Sequence, residues 1–219
     1  MKKIILITAL VAACSGCATK PISLAPSALE NFRGKTIACS VPPAPSFEAM
    51  HGGKSLLGRS IGQIAQTIKG DQIIRDNQIA DPAQETGRML ASELAAAYNL
   101  TVLPPIQPKR KKSCQADLIL ETRTTYWGFC YFLSDWNNYF VTYRSGIRLI
   151  DTRTGTCLAA GESLFDGRNG SLPYSYDGLT ADQAAGLKAE LKTAQEKSAA
   201  EFRQKILRPG LLRGATDKQ

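Results

Sequence analysis

The sequence has little histidine, no closely paired cysteines beyond its first 17 residues and no long apolar run. Its 219 residues include one histidine, His51, which excludes most imidazole metal sites and any catalytic triad not built on that residue. After the N-terminal region, no segment reaches the roughly 18 apolar residues that a membrane-spanning helix needs. The composition, 43% hydrophobic and 21% charged, is typical of a folded globular protein.

Candidate metal and nucleotide sites are poorly supported by the spacing of their residues. The four cysteines beyond Cys17 lack the close pairs of a zinc site, so we expect no metal and no cofactor. The stretch Gly52–Ser55 has the letters of a phosphate-binding loop, but Glu48 stands where the first glycine of that loop is required. We interpret it as the entry to a helix and His51 as a surface residue.

The chain is basic, with 27 Lys and Arg against 19 Asp and Glu, a net charge of +8. This excess favours contact with anionic surfaces such as phospholipid headgroups, although a charge of this size also simply keeps a domain soluble. The candidate residues for an anionic surface form one loop, and the alternative is a solvated basic loop; they are Lys109, Arg110, Lys111 and Lys112. We expect no nucleic-acid partner.

The first 13 residues have the pattern of a signal peptide. Two lysines, Lys2 and Lys3, precede the apolar run Ile4–Ala13. Ten residues span about 15 Å as a helix, which is half of a bilayer core. The run is therefore typical of an export signal and too short for a membrane span.

The end of that run, Val11-Ala12-Ala13-Cys14, resembles the lipobox of bacterial lipoproteins. The resemblance implies cleavage before Cys14 and attachment of acyl chains, palmitate among them, to that residue; Cys17 is the alternative. The residue that follows, Ser15 or Ala18, is not Asp, which in this class implies the periplasmic face of the outer membrane. An ordinary secretory signal with two incidental cysteines is the other possibility.

The mature chain divides by composition into three parts. Residues 14–35 are rich in proline, serine and small residues and are predicted to be a lipidated tether. Residues 36–208 are predicted to form one periplasmic domain, and residues 209–219 a flexible tail.

Alternation and capping patterns predict the elements of the domain. Three helices are expected: one with its apolar stripe between residues 57 and 68, one capped by Asp81 and Asn99, and one over 181–207 opened by a capping box at Thr180. Strands are expected at 35–41, 100–103, 116–132, 139–150 and 156–164, the second ended by Pro104. The predicted fold is α+β, with a mixed, largely antiparallel sheet packed by helices and a long C-terminal helix.

Two short segments, Ala116–Leu120 and Leu149–Gly155, resemble the sheet of the curli-secretion-channel lipoproteins and of the penicillin-binding-protein-activator lipoproteins. The resemblance covers about residues 82 to 160. It implies a periplasmic α+β fold of that type.

Aromatic residues concentrate in the predicted hairpin at both strand parities, whereas one core takes only alternate residues. Some of them must then lie outside that core unless another segment covers them. Three interpretations stay open: burial beneath the helix at 54–69 or a fold-back of the hairpin, a partner-protein surface, and a glycan or lipid surface. The candidates for a partner-protein surface are Trp127, Phe129, Tyr131, Phe132, Trp136 and Tyr139.

The expected hairpin register restricts the disulfides. It places Cys130 opposite Val141 and Cys157 opposite Leu149, so the two cysteines lie eight rows, or about 26 Å, apart. A disulfide needs Cα atoms within about 7 Å. We predict at most one bridge in the domain. It must involve Cys39, with Cys114 as the favoured partner, and it leaves the other cysteines free and packed.

These patterns favour a membrane-anchored envelope protein that acts by binding or assembly, most simply with another envelope protein, and is not an enzyme. An envelope hydrolase is the alternative, although no nucleophile–base pair supports it. A secretion-channel subunit is a third possibility. The polar side of the hairpin, with Glu121, Arg123, Arg144 and Arg148, instead predicts a sheet that faces water.

Overall fold

The computed structural model describes residues 21–29, 31–50, 69–107, 115–132, 135–170 and 173–207. Several predicted features lie outside these residues: the signal peptide, Cys14, Cys17, His51, the loop 52–55, the stripe 57–68, the basic loop 109–112, Cys114 and the tail. The side chains of Phe132 and Trp136 also lie outside the described part of the chain.

The described chain is an α+β fold, which confirms the predicted class. Its helices are α1 (Pro26–Leu29), α2 (69–76), α3 (Pro82–Tyr98) and α4 (Tyr176–Phe202), with short helical turns at Gly167–Asn169 and Arg203–Leu207. Its strands are β1 (Thr36–Ser40), β2 (Glu48–Ala49), β3 (Thr101–Ile106), β4 (Leu118–Phe132), β5 (Asp135–Asp151) and β6 (Cys157–Asp166). No described helix is long and apolar enough to cross a membrane.

The strands form one mixed sheet in the order β3-β1-β4-β5-β6, and β2 pairs with the far half of β4. β1 runs parallel to both β3 and β4, whereas β4, β5 and β6 are antiparallel to one another. Helices α3 and α4 pack on one face, which we call the inner face. Inward side chains such as Leu120, Ile147 and Leu149 are buried there together with Leu90 of α3 and Phe202 of α4.

The observed hairpin register differs from the predicted one by one residue near the hairpin end, and by two residues before the β-bulge between Thr124 and Tyr126. Beyond the bulge Cys130 lies opposite Phe140, and before it Leu149 pairs with Leu120 rather than with Thr122. Because of the extra residue, the odd-numbered residues of β4 after the bulge, Trp127, Phe129 and Tyr131, lie on the inner face. The sequence carries no glycine or proline at that point to mark it.

The prediction that Pro104 ends strand β3 was wrong. β3 continues through Pro104 and Pro105 to Ile106 because it lies at the edge of the sheet, where one side of the strand needs no ladder hydrogen bonds. Most of its residues are exposed.

The later part of the predicted tether packs against the domain. Leu24 and Phe32 are buried in the core that α3 and the inner face share. Ile22 exchanges two backbone hydrogen bonds of 2.8 Å with Ala160 of β6. Residues 21–29 and 31–35 therefore pack with the folded unit. The sequence did not predict this because the segment has no periodic pattern.

The C-terminal helix begins earlier than predicted and is interrupted. Its N-cap is Ser175, whose side chain accepts a hydrogen bond from the backbone N–H of Gly178. Residues 181–184, where the capping box at Thr180 was predicted to open the helix, have non-helical backbone angles instead. The predicted buried stripe is confirmed: Ala184, Leu187, Leu191, Ala194, Ser198, Phe202 and Ile206 are all buried.

The structure does not form the predicted bridge between Cys39 and Cys114. Cys39, Cys130 and Cys157 are free thiols. The Cys39 Sγ instead donates to the carbonyl oxygen of Gly87 at 3.2 Å, because β1 directs this side chain at the underside of α3. Cys130 and Cys157 pair with Phe140 and Ile150 of β5, about 33 Å apart along the strand, so no bond between them is possible.

Candidate binding groove

Three aromatic residues of the hairpin, Trp127, Phe129 and Tyr139, are buried in a hydrophobic core. They are therefore not part of a partner surface. Trp127, Phe129 and Tyr139 are between 1% and 4% exposed. Phe47 packs edge-on against Trp127 with ring centroids 5.2 Å apart, and the Trp127 indole N–H donates to the Pro45 carbonyl oxygen at 2.7 Å. The segment before β2 and the first half of α4 cover these rings.

Tyr131 is half-buried and packs on the same cluster, with its ring 6.3 Å from that of Tyr139. The parity argument failed here because the bulge places Trp127, Phe129 and Tyr131 on the inner face together. The three enclosed residues therefore cannot present an aromatic surface to a partner, whereas Tyr131 stays partly exposed.

A groove of about 560 Å³ lies elsewhere, between the first turns of α3 and the edge strand β3. We call it the α3–β3 groove. Its floor and walls are largely apolar and its rim is polar; the lining residues are Cys39, Val41, Ala80, Asp81, Gln84, Glu85, Arg88, Val102, Leu103, Pro105 and Ile106. Val102 is 47% exposed, which is unusual for a large aliphatic side chain among the described residues.

Asp81 holds the start of α3 at the inner end of the groove. Its carboxylate accepts a hydrogen bond from the backbone N–H of Ala83 at 2.9 Å, as the predicted N-cap does. The same oxygen accepts the Thr124 hydroxyl of β4, and that hydroxyl oxygen lies 3.2 Å from the Tyr143 hydroxyl of β5. One side chain thus joins a helix terminus to two strands.

The helix approaches the sheet closely at Gly87, and this approach sets the depth of the groove. A Cβ atom at Gly87 would lie 2.5 Å from the Thr122 hydroxyl oxygen, so only glycine fits there. The Thr122 hydroxyl donates to the Ala83 carbonyl oxygen at 2.8 Å. Threonines at alternate positions of β4 therefore bind successive parts of the first turns of α3.

Burial controls the ionisation of the groove's inner groups. It raises the pKa of the Asp81 carboxyl, and the hydrogen bonds from Thr124 and Ala83 offset part of that rise. It raises the pKa of the Cys39 thiol to about 11, so this thiol stays protonated at neutral pH. At the rim, hydrogen bonds from Arg88 lower the pKa of Glu85, and their ion pair has a distance of 2.5 Å.

The groove was not found from the sequence, although one signal pointed to it. A strand that contains two prolines is restricted to a sheet edge, and an edge strand beside a helix start leaves room between them. Asp81 was predicted only as a helix cap. Its bond to Thr124 depends on the sheet register and is not readable from spacing.

The described residues contain no cluster of three or more His, Cys, Asp or Glu side chains that would hold a metal ion.

Comparisons with known proteins identify no family for this chain. No protein-family model matches the chain, and no curated protein matches it. Solved structures match the chain at low sequence identity and with TM-scores below 0.5.

Three of these structures illustrate the range. Protein XCC0632 from Xanthomonas campestris is 13% identical, with 90% of this chain and 93% of that chain covered and a TM-score of 0.39. The PelC dodecamer from Paraburkholderia phytofirmans is 13% identical, with 80% and 95% covered and a TM-score of 0.33. Lipoprotein GNA1162 from Neisseria meningitidis is 17% identical, with 74% and 96% covered and a TM-score of 0.28. One of these three, GNA1162, is a lipoprotein.

The role of Asp81 predicts different outcomes for two substitutions. Asp81→Ala removes the cap and leaves the Thr124 hydroxyl without its acceptor, and we expect it to lower the free energy of unfolding by about 1–2 kcal/mol. Asp81→Asn keeps an acceptor for the Ala83 N–H without burying a charge, and we expect a change of no more than about 0.5 kcal/mol at pH 7. Denaturant unfolding measures both.

The same comparison has a predicted pH dependence. Because the folded-state pKa of Asp81 is raised, the native state binds its proton more tightly than the unfolded chain does. The wild type should therefore gain stability relative to Asp81→Asn as the pH falls from neutrality through that raised pKa. Asp76→Ala, on the exposed end of α2, is the matched control and should be neutral. If Asp81→Ala and Asp81→Asn lower the free energy of unfolding at pH 7 by the same amount, the capping role of Asp81 is contradicted.

Proposed function

We propose that this chain is a lipid-anchored protein of the bacterial envelope that binds another envelope protein through the α3–β3 groove and catalyses no reaction. The observation that carries the proposal is the groove itself, an apolar cleft with an exposed Val102 at its mouth. Such clefts with a few polar groups at the rim are typical of binding sites. The occupant we propose is an apolar segment of the partner.

The edge strand favours side-chain insertion over strand addition. Pro104 and Pro105 have no N–H to donate, so a partner strand cannot extend the ladder along the second half of β3. A partner is instead expected to place apolar side chains between Val102 and Ile106 and the first turns of α3. The Glu85–Arg88 ion pair at the rim is available for polar contacts.

The groove contains two side chains that could in principle act as a nucleophile or a base, Cys39 and Asp81, and both form structural hydrogen bonds. The Cys39 thiol donates to Gly87 and has a pKa of about 11, which is unsuited to a nucleophile. The Asp81 carboxylate accepts from Ala83 and Thr124, so it is occupied as an N-cap. These observations support binding over hydrolysis.

The anchor is proposed from the lipobox, with Cys14 as the acylated residue and Cys17 as the alternative, and with the periplasmic face of the outer membrane as the location. Several acyl chains at about 0.8 kcal/mol per buried CH₂ hold a protein stably on a bilayer.

The anchor is tested by metabolic labelling with palmitate. We expect Cys14→Ala to lose most of the label and the double variant Cys14→Ala, Cys17→Ala to lose all of it. Cys157→Ala, in β6, is the matched control and should be labelled like the wild type. A double variant that still incorporates palmitate would show that neither cysteine carries the lipid.

The groove is tested by a photoreactive amino acid placed at Val102 of the full chain in intact envelopes. We expect a discrete adduct, and we expect Ile106→Asp in the same chain to reduce its yield at least about tenfold because a charge at the groove is costly to desolvate. Thr101, the adjacent residue of β3, does not line the groove and is the matched control position. Adducts of equal yield from Thr101 and Val102, or an unchanged yield in Ile106→Asp, would contradict binding in the groove.

A further inference from the structure

The N-terminal segment leaves the domain at a fixed place on its surface. Ile22 pairs with Ala160 of β6, the Ser23 hydroxyl donates to the Lys205 carbonyl oxygen at 3.0 Å, and the Leu24 N–H donates to the Ile206 carbonyl oxygen at 2.8 Å. Leu24 is fully buried. Pro21 is therefore held at the β6 edge, beside the last described turn of the chain, Arg203–Leu207.

The sheet face opposite the helices, which we call the outer face, has a distinctive composition near this point. Ile22 and Leu164 lie on it and are 42% and 53% exposed; among the described residues only Val102 is a comparably exposed large hydrophobic side chain. Arg148 pairs with Ala160, beside Ile22, and Arg144 pairs with Leu164. Both arginines are exposed.

The two exposed apolar side chains are thus each flanked by an arginine on one surface. Between them lies a third arginine, Arg123, half-buried, which with Ile22 and Arg148 lines a groove of about 170 Å³. Apolar side chains interleaved with arginines are typical of surfaces that contact phospholipid headgroups and the acyl boundary beneath them.

The distance from the predicted lipid to this surface is short. Seven residue steps separate Cys14 from Pro21, and four separate Cys17 from it. Fully extended, these reach at most about 25 Å and about 14 Å. A folded unit of this size has a radius of gyration of about 16 Å and hence a width near 40 Å. The tether is shorter than the domain is wide, so only surfaces close to Pro21 reach the membrane.

We infer that the outer face around Ile22, Arg144, Arg148 and Leu164 rests against an anionic phospholipid surface. The inference rests on the proposed lipid anchor and adds to it which side of the domain faces the membrane. It leaves the α3–β3 groove, on the helix side at the opposite edge of the sheet, directed toward a partner.

Charge favours this orientation. The exposed charges on this part of the outer face are Arg144, Arg148 and the carboxylate of Glu162, and the buried Glu121 and half-buried Arg123 balance each other. Anionic headgroups attract Lys and Arg side chains that lie near the membrane surface.

The helix side offers no comparable surface. The exposed charges of α4 cancel, three acidic against three basic, and no large apolar side chain is exposed on this helix; the charged residues are Asp177, Asp182, Lys188, Lys192, Glu196 and Lys197. This pattern is typical of a solvated helix face.

The inference is tested with the lipidated full-length protein in vesicles of phosphatidylethanolamine and phosphatidylglycerol. The vesicles include a phospholipid with a photoreactive diazirine in its headgroup, and mass spectrometry maps the adducts. We expect adducts on the peptides that carry Ile22, Arg148 and Leu164, at least about fivefold above those on α4. Phosphatidylcholine vesicles should give a lower yield on the same peptides.

Two double variants with the same charge change complete the design. Arg144→Glu with Arg148→Glu should lower the adduct yield at Leu164 at least about threefold, whereas Lys188→Glu with Lys192→Glu should leave it unchanged. Acylation is measured on the same protein by mass. If the protein carries acyl chains but its adducts fall on α4, or are unaffected by the arginine substitutions, the orientation is wrong and the anchor stands. If the protein carries no acyl chains, the anchor fails and the orientation fails with it.

Discussion

The bond between the Asp81 carboxylate and the Thr124 hydroxyl is the contact on which the arrangement of α3 depends. A helix start leaves backbone N–H groups without partners, and a carboxylate at the N-cap satisfies one of them. Asp81 does so while binding β4, so the same oxygen fixes where the helix begins and how it meets the sheet. Burial makes the negative charge costly, as the raised pKa of Asp81 records, and the hydrogen bonds compensate for part of that cost.

The position of α3 determines one of the two surfaces proposed to act. Gly87 and Thr122 bring α3 down onto β4, and the edge strand β3 is left at a distance that opens the α3–β3 groove. On the other side of the sheet no described helix packs against β5 and β6, which leaves Arg144 and Leu164 exposed. A membrane on one side and a protein partner on the other would use the two faces of one sheet.

Local patterns in the sequence correctly predicted the features that depend on residues close together along the chain, such as helix caps and the buried faces of strands. Asp81 and Asn99 were recognised as caps, the alternation of Val141, Tyr143, Ile147 and Leu149 was recognised as a buried face, and the α+β class followed from the order of elements. The errors came from contacts between distant segments. Leu24 and Phe32 are buried only because they meet α3 and the end of α4, Thr125 forms a bulge that no residue type announced, and the aromatic side chains are enclosed by the segment before β2 and by α4.

A double-mutant cycle between Asp81 and Thr124 tests the central claim most directly. The free energy of unfolding is measured for the wild type, Asp81→Ala, Thr124→Val and the double variant. The account predicts a coupling energy of about 1 kcal/mol or more, because each single substitution already breaks the shared buried bond. Losses that add to within about 0.3 kcal/mol would show that the two side chains act independently and that α3 is held to the sheet by other contacts.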